Sequence, residues 1–408
     1  MSQSFIPWID ASDLDSASVE AGSPFKEHDT RDELGLGSIR NAFADLFFPG
    51  TSTLQTRARY FLFVPWLYLH LESRLVPSEE IAGSLKEGEV LLAAALKRGG
   101  QEGVIGQLAG AGLRRFPSSI YWTGLRRWGI LRQSGTRQRY YRSLDTFYRR
   151  RQHRLTSDDG QPVAGWAETN WDADLPPAPA HFPNEASFDL LPGEAAYLRD
   201  RVLRSCRGSL LAALLAHVGA GGQERPLSRL GQVWHTPGLA GLPPDQQRWI
   251  GHARDFSLAM YGAVLLYNLM LAELRRDDAL LADHRTRLGA WQADVDAHAE
   301  SLRAWNLDDF WQLVKSIGHV PWPAERFCRD WLELLLGGGR GRPEVGGDEQ
   351  ARALVRARET ALKGSRSRFE SPSHLAVWSG ATGLVPLDYR WAVARVLIDD
   401  MTSASAGD

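Results

Sequence analysis

Apolar positions recur at helical rather than strand spacing along most of the chain. Ile39, Phe43, Leu46 and Phe47 lie three or four residues apart and stop at Pro49-Gly50, a pattern that predicts a short amphipathic helix. The apolar run from Tyr60 to Leu71 contains Pro65 and predicts a second, mostly buried helix, kinked or restarted at the proline. Leu198, Val202, Cys206, Leu210 and Leu214 recur every fourth position, and with Leu203, Leu211 and Leu215 they mark a wide apolar face. The longest apolar stretch, Leu258 to Leu271, holds 14 residues with Asn268 among them. A membrane span needs about 20, so this stretch predicts a buried core helix and no membrane partner.

Pro117-Ser118-Ser119 reads as a helix start, and Ile120, Leu125, Trp128 and Leu131 continue one face behind it. The polar run Arg132 to Tyr141, turning at Ser134-Gly135, predicts a basic hairpin. Helix, turn, helix and basic wing is the order of a winged helix-turn-helix, with a recognition helix near Ser118–Ile130. The fold class expected is therefore mainly α, a multi-domain helical protein with a winged helix-turn-helix module. Its divisions are an N-terminal helical domain over 1–96 with a candidate catalytic cluster, a winged-helix nucleic-acid-binding module over 97–155, an acidic, proline-rich connector over 156–192, a helical domain over 193–336, closed by glycines at 337–339, and a C-terminal helical segment over 348–408. No internal repeat is visible.

Charge sharpens this picture. The net charge of the 408 residues is only −2, but residues 113–154 hold twelve arginines against one acid, Asp145. Nine acids against Arg199 fill residues 155–200, a run that either repels nucleic acid or covers the basic surface when no ligand is bound. Eight aromatics, Phe116, Tyr121, Trp122, Trp128, Tyr140, Tyr141, Phe147 and Tyr148, are interleaved with the arginines. Arginine binds phosphate and aromatics stack on bases, so the segment predicts nucleic-acid binding, with double-stranded DNA the partner favoured and RNA left open. The residues expected to bind are Arg57, Arg59, Arg114, Arg115, Tyr121, Trp122, Arg126, Arg127, Arg132, Arg137, Arg139 and Tyr140. A second basic cluster, Arg352, Arg356, Arg358, Lys363, Arg366 and Arg368, adds Arg366 and Arg368 as a backbone clamp or is an ordinary exposed helix.

Other chemistries are less well supported. Cys206 and Cys328 are too few and too far apart for a disulfide scaffold, and the first 30 residues show no signal peptide, which together predict a cytoplasmic protein. Gly337–Gly347 lacks the Gly-Lys-Ser/Thr ending of a phosphate loop and Gly35-Leu36-Gly37 follows no strand, so no nucleotide cofactor is expected. Asp294, Asp296 and His298 lack a third partner, and no metal is expected either. Arg31, Asp32, Glu33, Arg40, Asp45, Gln55, Arg57 and Arg59 crowd into a stretch otherwise rich in Phe, Leu, Trp and Tyr. Two readings stand. One is a buried salt-bridge network; the other is a pocket in which a carboxylate or amide activates water beside phosphate-holding arginines.

Through TRDELGLGSIRNAFADLFFPGTSTLQTRARYFLFVPWLY, FPSSIYWTGLRRWGI and LDYRW the chain resembles, over most of its length, an uncharacterised bacterial family found among phage-defence genes. That resemblance implies action against foreign DNA. Over about a dozen residues, Leu54-Gln55-Thr56-Arg57-Ala58-Arg59 is also similar to the motif of AlkZ/YcaQ-like winged-helix DNA glycosylases. This likeness, taken with the first, implies excision of a base, such as a modified one in phage DNA, by hydrolysis of its N-glycosidic bond, leaving an abasic site and using no cofactor. Gln55 would match the first catalytic glutamine. Arg57 stands where that family has its second water-activating group, so Asp45, Asp32 or Glu33 would have to replace it. The rival is a non-enzymatic winged-helix DNA- or RNA-binding or sensor module of a defence system.

Overall fold

A 32-residue helix, Pro244–Arg275, runs through the centre of the molecule and carries the Leu258–Leu271 run. In this computed structural model the described residues are 32–106, 115–152, 169–219, 227–336 and 344–403. Before the central helix come α1 (Gly37–Phe47), α2 (Tyr60–Ser73), α3 (Ile81–Arg98), α4 (Pro117–Arg127), α5 (Arg137–Gln152), α6 (Pro192–Ser205) and α7 (Leu210–Gly219). The central helix is α8, and after it come α9 (Asp278–Ala297), α10 (Ala299–Ala304), α11 (Leu307–Ile317), α12 (Trp322–Leu336), α13 (Glu349–Lys363), α14 (Pro372–Ala376) and α15 (Trp391–Ser403). No strand is present among the described residues, and the protein is mainly helical. Although α8 is long and apolar enough to cross a membrane, 72% of its most apolar window is buried inside the protein. It is a core helix.

Local chemistry sets the helix ends. α8 starts with a proline in its first turn and stops at Arg276, whose φ of 55° closes the helix in the left-handed region. Asp277 then caps α9 by accepting from the Leu280 amide at 3.1 Å, so the chain doubles back at once. The two helices meet closely because residue 262 is glycine: a Cβ there would fall 2.1 Å from the Trp291 ring. Trp291 fixes the contact by donating its indole N–H to the Leu258 carbonyl at 2.8 Å.

The N-terminal layer packs around α2, which is buried on nearly every side and continues as a helix through Pro65. Phe61 stacks on Trp128 with ring centres 3.8 Å apart, and Gly124 of α4 lets the Gly50 carbonyl and Phe61 approach. α1 packs on α11, and α15 packs on α6 and α7, so segments distant in sequence share one hydrophobic core. Residues 169–191, expected to belong to a connector, are built into that core: Trp171 and Phe188 are buried, and Trp66 donates to the Pro176 carbonyl at 2.7 Å.

The expected wing is corrected by the structure. Leu131 forms a single antiparallel bridge with Trp171, and the Arg132 amide donates to the Asn170 carbonyl at 2.8 Å, but no hairpin follows. From Arg137 the chain is helical to Gln152. The reason lies in Tyr140, Tyr141, Leu144, Phe147 and Tyr148, all buried and spaced by one, three, three and one residues. That is a helical stripe, and burying it outweighs the turn propensity of Ser134-Gly135.

Candidate functional site

The loop Pro49–Arg59 joins α1 to α2 and carries most of the N-terminal polar residues. Gln55 is buried, donates its amide to the Gly50 carbonyl at 3.1 Å and accepts from the Ser52 amide at 3.2 Å. Both ends of its side chain are thus spent on closing the 50–55 turn. Asp45 pairs with Arg390 at 2.5 Å, and the same guanidinium donates to the Thr51 carbonyl at 2.9 Å. Arg390 and its neighbour Tyr389 have φ of 66° and 52°, a costly backbone for non-glycine residues, held by Asp388 accepting from the amides of Arg390 and Ala392 and by the Tyr389 hydroxyl donating to the Ala253 carbonyl.

Most of the remaining charges of the cluster are likewise occupied, while Arg40 donates to its neighbour Asn41 at 3.4 Å. Asp32 caps α1 by accepting from the amides of Leu36 and Gly37 at 2.6 and 2.5 Å. Glu33 is buried between Lys363 at 2.5 Å and Arg368 at 2.9 Å. Arg57 makes a two-point ion pair with Asp400 at 3.0 Å through Nε and 2.9 Å through Nη2, and Asp400 also accepts from the Ala58 amide at 2.8 Å. Arg59 is buried against Glu194 at 2.9 Å and lies over the rings of Phe63 and Trp66. Tyr121, on α4, accepts from the amides of Thr56 and Arg57 and donates to the Arg57 carbonyl at 2.8 Å. Of the two readings of this cluster, the geometry favours the salt-bridge network. Asp45, Asp32, Glu33 and Gln55 do not converge on a shared water, because each is turned toward a different structural partner. Arg31 lies outside the described residues.

The basic segment behaves differently. Seven of its eight aromatics are buried, Phe116 being partly exposed, so Tyr121, Trp122 and Tyr140 are core residues and not base-stacking groups. Tyr140 donates to Glu72, a buried carboxylate that also accepts from Asn170 at 3.2 Å and the Trp171 indole at 2.9 Å. Glu72 thereby pins α5 and the 169–172 stretch to the end of α2.

The arginines divide into two groups. Those near α4 and its end are partly engaged: Arg127 donates to the Ser205 carbonyl at 3.4 Å, and Arg132 shares Asp172 with Arg201 at 3.4 and 3.2 Å. Arg126 is half-buried and Arg115 exposed, while Arg114 lies outside the described residues. On α5, Arg137 donates to the Ser118 hydroxyl at 3.0 Å, and the Ser118 amide donates to Glu89 at 2.6 Å. Burial of the Glu89 carboxyl beside the α4 start pushes its pKa up to about 7. Arg139 and Arg142 are exposed and have no acidic partner among the described residues; Arg149 is exposed, donates to the Asp145 carbonyl and the Thr146 hydroxyl, and acts by its charge on the Asp145 carboxylate. In the second basic cluster Arg368 is spent on Glu33 and Tyr267, whereas Arg366 is exposed.

The model of a family of unknown function, DUF6361, matches residues 3–405. The chain belongs to that family. No curated protein and no solved structure matches it. In this DUF6361 chain the residues that sequence reasoning overlooked are the partners of the N-terminal arginines and acids: Asp400, Glu194 and Arg390. Asp400 was detectable as an acid beside Leu397, Ile398 and Met401 on an apolar helix, a position where a carboxylate needs a cation. Burial raises its pKa even with Arg57 in place.

Proposed function

We propose that this chain binds double-stranded DNA through the outer face of α5. The observation that carries the reading is the contrast within one helix: its aromatic stripe is buried in the core while Arg139 and Arg142 face solvent without an acidic partner among the described residues, and Arg149 faces solvent with only the exposed Asp145, one turn back, near its charge. Like charges held together on a rigid helix repel one another, and a polyanion relieves that repulsion. The resemblance to phage-defence genes makes foreign DNA the ligand proposed. Base excision draws no support from Gln55, Asp45, Asp32 or Glu33, whose side chains are all committed to the fold, so binding without N-glycosidic hydrolysis is the reading favoured. The test is fluorescence anisotropy of a labelled duplex over a salt series, with wild type and an Arg139→Ala/Arg142→Ala/Arg149→Ala variant. Binding that weakens steeply with salt and is largely lost in the variant supports the proposal. Equal binding by the variant moves the interface elsewhere, and alkali-labile abasic sites in DNA incubated with the protein would restore the excision reading.

A further inference from the structure

Resting on the binding reading above, we infer that α5 lies across a groove of B-form duplex and touches the phosphate chains on both sides, and that single strands are poor ligands.

The exposed residues of α5 are Gln138, Arg139, Arg142, Asp145, Thr146 and the arginines of its last turn. Positions 139, 142, 146 and 149 fall on one stripe of a helix with 3.6 residues per turn. The stripe is cationic at its two ends and not in its middle. Arg142 and Arg149 are seven residues apart, about 10 Å along the axis at 1.5 Å per residue, and Arg139 and Arg149 about 15 Å. The B-DNA major groove is about 12 Å wide. Between the two cationic ends sits Asp145, which accepts from the Ser78 amide at 3.0 Å; the Ser78 hydroxyl, that amide and the nearby charge of Arg149 favour its ionised form. A carboxylate in the middle of a phosphate-binding stripe repels a backbone that tracks along the helix. It is tolerated where the helix crosses a groove, because its centre then faces base edges and not phosphates.

The buried aromatics supply the second argument. Proteins that take single strands without sequence preference combine cations with exposed rings on which bases stack. Here Tyr140, Tyr141, Phe147 and Tyr148 are turned inward, where Tyr140 is tied to Glu72 and Tyr141 to Tyr68 by a hydroxyl–hydroxyl hydrogen bond of 3.0 Å. Exposing Tyr140 or Tyr141 would break these buried hydrogen bonds, and exposing Phe147 or Tyr148 would return buried ring surface to water. The face left to solvent offers charge and no stacking platform.

The experiment compares a duplex DNA of about 30 base pairs, each of its strands alone, and an RNA duplex of the same length at matched salt, with circular dichroism melting of each protein variant as a folding control. The expected result is DNA duplex binding at least about tenfold tighter than either strand or the RNA duplex, whose major groove is too narrow for a helix. Arg139→Ala/Arg142→Ala and Arg149→Ala should each reduce the salt slope of duplex binding, by about one for each phosphate no longer neutralised, since both ends must reach a backbone. Lysine at the same positions should restore most of the slope. Single strands or RNA duplex binding as tightly as DNA duplex overturns the groove assignment while leaving nucleic-acid binding in place, as does a slope carried by one end alone. Failure of every probe to bind overturns the binding reading itself.

Discussion

Asp400, on the last helix, holds Arg57 in a two-point ion pair across 343 residues of sequence and takes the Ala58 amide as well. The pair locks the loop that precedes α2 to the C-terminal end of the fold. Removing one partner leaves the other charge without compensation in a largely dry setting. Asp400→Ala should therefore cost about 3 kcal/mol of stability, and Arg57→Ala a similar amount, with the double variant costing less than the sum. Urea unfolding of the three variants checks this, and strict additivity would mean that the two residues act independently.

Glu89 predicts a pH dependence. Its folded pKa of about 7 lies above the value of 4.5 for an ordinary glutamate. Between those values the folded state binds more proton than the unfolded state, so stability is full below about pH 4.5 and falls as pH rises toward 7. At about 1.4 kcal/mol per unit the loss is on the order of 3 kcal/mol. Glu89→Gln keeps an acceptor for the Ser118 amide and removes the ionisation, so its stability should be flat over the same range. Denaturant midpoints at pH 5, 6, 7 and 8 distinguish the two profiles.

Gln55 is similar in its motif to a catalytic glutamine, and the structure gives it a different use. Gln55→Ala removes an amide that bonds both Gly50 and Ser52, which should lower stability by about 1–2 kcal/mol through the missing hydrogen bonds. Duplex affinity should be unchanged because α5 is untouched. Thermal melting and anisotropy on one preparation measure both. A variant that melts like wild type yet loses an abasic-site signal would return Gln55 to the chemistry.

The helices were legible where one face alone is apolar or where an apolar run is too long for a strand and too short to span a membrane. Phe43, Leu46 and Phe47 announce α1, and the run around Asn268 announces α8, even to its burial. Legibility failed at α5 because Ser134-Gly135 is a strong local turn signal, while the stripe from Tyr140 to Tyr148 needs a longer window to be seen. It failed again for the N-terminal charges. Their crowding pointed to ion pairs, but the partners Asp400, Arg390, Glu194, Lys363 and Arg368 lie more than a hundred residues away, and spacing within a chain carries no information about such pairings. The charge asymmetry of the basic segment was visible, but not that its arginines and aromatics face opposite ways, since that depends on the helix they share.

Two arginines expected to contact DNA should separate in one experiment. Arg142 is exposed and has no acidic partner among the described residues, whereas the Arg368 guanidinium reaches Glu33 at 2.9 Å and the Tyr267 hydroxyl at 2.8 Å. Glu33 is buried, so Arg368→Ala leaves its carboxylate with Lys363 as the remaining ion-pair partner and should cost about 2–4 kcal/mol of stability. Duplex affinity of the molecules that stay folded should hardly change. Arg142→Ala should do the reverse: its melting temperature should stay within about a degree of wild type, as is usual for exposed positions, while duplex affinity falls several-fold at low salt and the difference fades as salt rises. Asp145→Asn, on the same face, should raise affinity a few-fold by removing the negative charge from between the arginines. If Arg368→Ala instead weakens binding without loss of stability, the nucleic-acid surface extends over the C-terminal segment, and the opening of the Glu33 ion pair becomes part of recognition.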